Sequence, residues 1–88
     1  MKTKKDRKYS FNHTKERLME RYGIFITIKD YNNLCKKITN NDNVALVMIE
    51  RQDKDVQYTY DLDFKEGQPI RVVWSNTRDC ITTALERS

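Results

Sequence analysis

At Val44 the hydrophobic pattern of this chain changes period, and that switch constrains the fold more than any other feature. Before it, apolar residues recur every three or four positions, as one face of a helix requires. After it, Val56, Tyr58, Tyr60, Leu62 and Phe64 alternate with Gln57, Thr59, Asp61 and Asp63. That two-residue repeat belongs to a strand with its apolar side buried and its polar side, Thr59 included, on the surface. The chain therefore reads as helices first and strands second.

Two helices fit the first half. Asn12 offers an oxygen to cap one, and Gly23 suits the left-handed position just past its end, giving a first helix over about 12–22. Phe11, Leu18 and Tyr22 make its apolar stripe. A short apolar link, Ile24, Phe25, Ile26 and Ile28, follows and is expected to be buried. Thr27 and Asp30 have the spacing of a capping box, so a second helix is expected over about 28–39. Its inner face is Tyr31, Leu34, Cys35 and Ile38, and NNDN at 40–43 stops it.

Four strands fit the second half. VALVMIE, from Val44, is a continuous apolar run of the kind found in central strands covered on both faces. The alternating stretch 56–64 comes next, then PIRVVWS and finally CITTALE. The polar links between them are too short for crossovers, so the strands should form an antiparallel meander. The expected class is α+β, two N-terminal helices packed on a four-stranded antiparallel sheet. Residues 1–10 are basic and aperiodic and read as a flexible arm, with 11–88 as a single domain.

Charge is unevenly spread over the 88 residues. The net formal charge is +4, yet residues 1–22 hold eight Lys or Arg against three Asp or Glu, whereas residues 41–66 hold three against seven. A basic head of this kind attracts an anionic partner. Lys4, Lys5 and Lys8 in the arm, with Arg17 and Arg21 on the first helix, are the candidate nucleic-acid-binding residues. The same arm also reads as a frayed terminus. No apolar run reaches the ~18 residues of a membrane span. Cys35 and Cys80 have no metal-ligand spacing and fit a reduced, cytoplasmic protein. One histidine, two distant cysteines and two glycines give no metal site, no cofactor and no phosphate loop.

His13, Arg17 and Arg21 fall at i, i+4 and i+8 on the first helix. Two arginines four apart repel by about 0.2–0.5 kcal/mol, so helix stability does not explain them and a phosphate-rich ligand does. The run His13-TKE-Arg17-LME-Arg21-YGI, with Ile70-Arg71-Val72-Val73 and Ile81-Thr82-Thr83 on the late strands, resembles the small toxin ribonucleases of the RelE, ParE and BrnT group. The closest likeness is to a BrnT-related subgroup with one His and two Arg on its first helix. That resemblance implies a metal-independent endoribonuclease whose catalytic set would be His13, Arg17, Arg21, Arg71 and Thr82. RNA is then the expected partner, alongside an antitoxin.

The chemistry such cleavage needs is a proton acceptor for the ribose 2′-OH, a donor for the leaving oxygen, and cations for the phosphorane. An imidazole near its ordinary pKa of about 6.5 suits either proton role but cannot fill both in one step. A second reading makes the chain a non-enzymatic phage or mobile-element protein that binds a host protein or antitoxin-like partner. Arg71 then reads as a cross-strand ion pair with Asp61 or Asp63, and Arg17 and Arg21 as a solvated face beside Glu16 and Glu20. An enzyme should gather His13 and the three arginines around one concave site.

Overall fold

A computed structural model of the chain describes residues 4–86, with side chains from residue 7 onward. The order of elements is α1 (Lys4–Tyr22), α2 (Ile28–Thr39), β1 (Val44–Gln52), β2 (Asp55–Asp63), β3 (Pro69–Ser75) and β4 (Cys80–Leu85). The strands form one antiparallel sheet in the order β1-β2-β3-β4. This is the expected α+β class and the expected meander.

The helix ends follow from the residues that make them. Gly23 sits at φ +67° and donates its N–H to Met19 O at 3.0 Å, which closes α1 with a left-handed cap. At the start of α2 the Thr27 hydroxyl accepts from Asp30 N–H at 3.1 Å, and the Asp30 carboxylate accepts from Thr27 N–H at 3.0 Å. That reciprocal pair satisfies two backbone donors which the first turn leaves unpaired. Asn41 and Asn43, both at positive φ, turn the chain out of α2 and into β1.

The beginning of α1 differs from the sequence expectation. The helix starts at Lys4, so Asn12 lies inside it and caps nothing, and residues 4–10 are its first turns and not an arm. Residues 1–3 of the expected arm, and residues 87–88, lie outside the described residues. The reason the extension was hidden is chemical. The buried stripe of α1 is Ser10, Thr14 and Leu18, all 1 % exposed or less, and two of its three members are hydroxyl residues without hydrophobic signal.

The core lies between the helices and one face of the sheet. Tyr31, Leu34, Cys35 and Ile38 from α2 meet Leu62, Ile70, Val72, Trp74 and Ile81 from the strands, with Leu18 from α1 and Ile24 and Ile26 from the link. Phe25 and Ile28 are the exceptions, 59 % and 52 % exposed, so the link is only half buried. Tyr58, Tyr60 and Phe64 pack against the core as alternation requires. Thr59, expected at the surface, is buried at 4 % exposure because its neighbours in register, Met48 and Val73, crowd it from both sides.

The larger correction concerns β1. A meander places its first strand at an edge, and β1 pairs only with β2. Leu46, Val47, Met48 and Ile49 are each 45–51 % exposed, so the apolar run is neither central nor covered on both faces. A bulge at Val47 interrupts its register with β2. Periodicity reports that a strand is apolar; it does not report who its neighbours are.

Candidate nucleic-acid interface

The sheet face turned away from the core is not flat. α1 packs along β4, and its Tyr9 and His13, one turn apart, reach round that edge and wall off a cleft of about 560 Å³. The floor is made of residues that alternate with the core set. Met48, Thr59, Val73 and Thr83 form one cross-strand row, and Glu50, Gln57 and Ser75 form the next. A bulge in β4 between the Val73 and Trp74 positions leaves Thr82 unpaired, and both Thr82 and Thr83 line the cleft. Arg78, from the β3–β4 turn, and Asp55, at the start of β2, lie at one end.

The aromatic wall is a parallel pair. Tyr9 and His13 have ring planes 10° apart and centroids 6.3 Å apart, and Tyr9 is 64 % exposed. Spacing of four along a helix places them on one side, at right angles to the buried Ser10–Thr14–Leu18 stripe. The floor offers the amides Gln52 and Gln57 and the part-exposed hydroxyls Thr82 and Thr83, with Thr59 and Ser75 buried among them. Thr82 donates to Val73 O at 3.4 Å, and Ser75 donates to the Asp55 carboxylate at 2.8 Å.

Asp55 is occupied by structure and not by a ligand. Partial burial raises its pKa, but bonds from Thr77 N–H, the Ser75 hydroxyl and Val56 N–H outweigh that and hold it at about 2. Thr77 N–H donates to Asp55 at 2.9 Å and Val56 N–H at 2.8 Å, which locks the β3–β4 turn against the start of β2. Arg78 N–H donates to Ser75 Oγ at 3.1 Å, so the turn that carries its guanidinium is held by the same network.

Of the expected catalytic set, His13 and Thr82 line the cleft, and Arg17, Arg21 and Arg71 are not among its lining residues. Helix geometry accounts for the first two arginines. Each step of four residues drifts by about 40°, so Arg21 is turned about 80° from His13. Arg17 bonds Glu20 with its Nη1 2.8 Å from the carboxylate, and Arg21 is exposed. Arg71 shares the cleft side of the sheet, two residues along β3 from Val73, but lies bidentate on Asp61 at 2.7 and 3.0 Å. The cross-strand ion pair open to it from the sequence is the one realised.

Of the expected binding lysines, Lys8 is exposed on α1, and Lys4 and Lys5 belong to its first turn, their side chains outside the described set. Arg78 escaped the sequence reading because NTRD registers only as a turn. Its signal was there: a cation in the two-strand connection that ends beside β4.

Neither cysteine adds chemistry to the cleft. Both are free and buried, and burial pushes the Cys35 thiol up, away from thiolate. Among the described residues no three His, Cys, Asp or Glu side chains converge to hold a metal ion. No helix among them is long and apolar enough to cross a membrane. Comparisons with known protein families, with curated proteins and with solved structures returned no match to this chain.

Proposed function

We propose that the protein binds RNA as a single strand, laid across the cleft with a base on the Tyr9–His13 wall. One observation carries the reading: a parallel aromatic pair, half open to solvent, stands directly over a floor of hydroxyl and amide groups. Unpaired bases are held by this combination, stacking on a ring while their edges meet hydrogen-bonding side chains. Arg78 in the cleft, and the cations of α1 flanking it, supply the phosphate term. The cellular compartment proposed with it is the cytoplasm, where Cys35 and Cys80 stay reduced.

Binding is proposed over cleavage because neither carboxylate of the cleft is placed to join His13 at one phosphate. The cleft offers His13, the Tyr9 phenol beside it and the carboxylates Glu50 and Asp55 as proton-transfer groups. Glu50 lies on β1, three strand spacings from β4, a separation of about 14 Å at ~4.8 Å per strand. Asp55 is committed to three hydrogen-bond donors. A general base and a general acid must both come within about 3 Å of the protons they move, so one phosphate cannot be flanked by His13 and either carboxylate. The toxin-ribonuclease likeness of the His13, Arg17 and Arg21 run enters this proposal as a likeness in RNA contact.

Fluorescence anisotropy with a labelled single-stranded RNA tests it. Base stacking on an aromatic contributes about 1–3 kcal/mol, so Tyr9→Ala should weaken binding by about 5- to 150-fold. Arg78→Ala should weaken it less and make the salt dependence shallower by about 0.7 in log–log slope. Incubation of RNA with the protein in EDTA should leave it uncut. No binding at low salt, or binding untouched by Tyr9→Ala, overturns the cleft as the RNA site. Cleavage that His13→Ala abolishes overturns the choice of binding over catalysis.

A further inference from the structure

We propose that Glu50 and Gln57 form a guanine-reading subsite, and that the RNA in the cleft carries a guanine farther along the strand than the base on the Tyr9–His13 wall. The subsite rests on the RNA reading above and names the base that the cleft selects. Glu50 on β1 and Gln57 on β2 are register partners, and both line the cleft. Residues directly opposed across two strands hold their Cβ atoms about 4.5–5.5 Å apart, so the carboxylate and the amide act on one ligand. Of the two carboxylates in the cleft, Asp55 is already taken by Ser75, Thr77 and Val56. Glu50 is exposed and has no hydrogen-bond or ion-pair partner among the described residues.

An open carboxylate repels phosphate, so on the floor of an RNA cleft its partner must be the edge of a base. An ionised carboxylate can only accept hydrogen bonds. Among unpaired bases, guanine alone sets two donors side by side on its Watson–Crick edge, N1–H and N2–H, and a carboxylate takes such a fork with both oxygens. Adenine and cytosine place a ring acceptor beside their exocyclic amine, which would face the second carboxylate oxygen lone pair to lone pair. Uracil offers one N–H between two carbonyls. The remaining group on the guanine edge is O6, an acceptor, and the Gln57 amide beside Glu50 supplies a donor for it. Position along the sheet separates this base from the stacked one. The wall stands at the β4 edge, and β1 lies three strand spacings away, about 14 Å at ~4.8 Å per strand. Arg78, at one end of the cleft, is left for the phosphates between.

The test is anisotropy of the full chain with short labelled uridine oligonucleotides that carry one central guanosine, inosine or adenosine. Hydrogen bonds to a charged group set the scale, and the guanosine oligonucleotide should bind about 10- to 100-fold tighter than the adenosine one. Inosine, which lacks only the 2-amino group, should fall between them. Glu50→Ala should bring the guanosine-to-adenosine ratio close to one, with an unchanged circular-dichroism spectrum, and Gln57→Ala should lower it in part. Tyr9→Ala should weaken all three oligonucleotides and leave the ratio as it was, which separates the subsite from the wall. Equal binding of guanosine and adenosine, in a complex that Tyr9→Ala still weakens, overturns the subsite and leaves the RNA reading in place. A preference that survives Glu50→Ala, or inosine binding as tightly as guanosine, also overturns it. No binding of any of the three at low salt overturns both readings together.

Discussion

β4 runs along one edge of the sheet beneath α1, and its Ile81 and Leu85 carbonyls are taken. Ile81 O accepts Tyr31 OH at 2.6 Å and Thr14 Oγ1 at 3.5 Å, and Leu85 O accepts Tyr22 OH. β1 runs along the other edge, with half-exposed leucine, valine, methionine and isoleucine and no described strand beyond it. Both edges present backbone groups that need partners; what differs is who meets them. At β4 the chain meets them with the hydroxyls of Thr14 and Tyr22 from α1 and Tyr31 from α2. The position of α1 over that edge in turn carries Tyr9 and His13 round to the far face and creates the cleft. One edge is therefore closed in a way that builds the cleft, and the other is left open.

Stability measurements are the most direct way to break this contrast. Tyr31 is fully buried, packs edge-on to Phe11 at 5.4 Å between centroids, and lies under the Arg7 guanidinium at 5.7 Å. Tyr31→Ala should cost about 3–5 kcal/mol in urea unfolding, the range for a large buried aromatic. Ile49→Ala, at a half-exposed position, should cost well under 1 kcal/mol, as surface substitutions do. Similar costs for both would mean that β1 is covered after all. Tyr31→Phe isolates the edge bond itself. Burial pushes that phenol's pKa far up, so it remains a donor at every ordinary pH, and the loss should be about 1 kcal/mol.

How much of this was legible in the sequence depended on distance along the chain. The Thr27–Asp30 box, the Gly23 cap and the α2 inner face were legible because each is settled by residues within a turn or two of one another. The edge position of β1 was not, since strand order is a property of the whole meander and VALVMIE reads alike at centre or rim. The first turns of α1 were missed because Ser10 and Thr14 are buried for their fit against β4, and serine and threonine leave no apolar signature. His13 and Thr82 entered the cleft as candidates, but the arginines could not be placed without the helix drift and the Arg71–Asp61 register. Arg78 needed the β3–β4 turn to be seen folded back over the sheet.

The open edge still has one internal fastening, and acid should undo it. Asp55, at the β1–β2 hairpin, receives bonds from Ser75 and Thr77, and Thr77 Oγ1 donates to Lys54 O at 2.9 Å. Its folded-state pKa of about 2 lies below the ordinary carboxylate value. The stabilisation is thus present above about pH 4 and lost as pH falls from 4 toward 2. After allowance for solvent screening it is about 1 kcal/mol. The stability gap between wild type and Asp55→Asn should therefore close over that interval, and a gap that persists at pH 2 would assign the effect to something other than the charge.

The smallest effect is expected at the closed edge and has the opposite sign. Ser10 is 1 % exposed, and its hydroxyl has no hydrogen-bond partner among the described residues. A buried hydroxyl without a partner is a standing cost relative to the unfolded chain, where water satisfies it. Ser10→Ala removes that cost, keeps nearly the same volume, and replaces a middling helix former by the best one. The chain should become more stable by about 0.5–1 kcal/mol, read as a higher urea midpoint with an unchanged slope. A loss of stability instead would mean that Ser10 does bond across to β4, and that α1 is held on that edge by one more hydroxyl than Thr14, Tyr22 and Tyr31 supply.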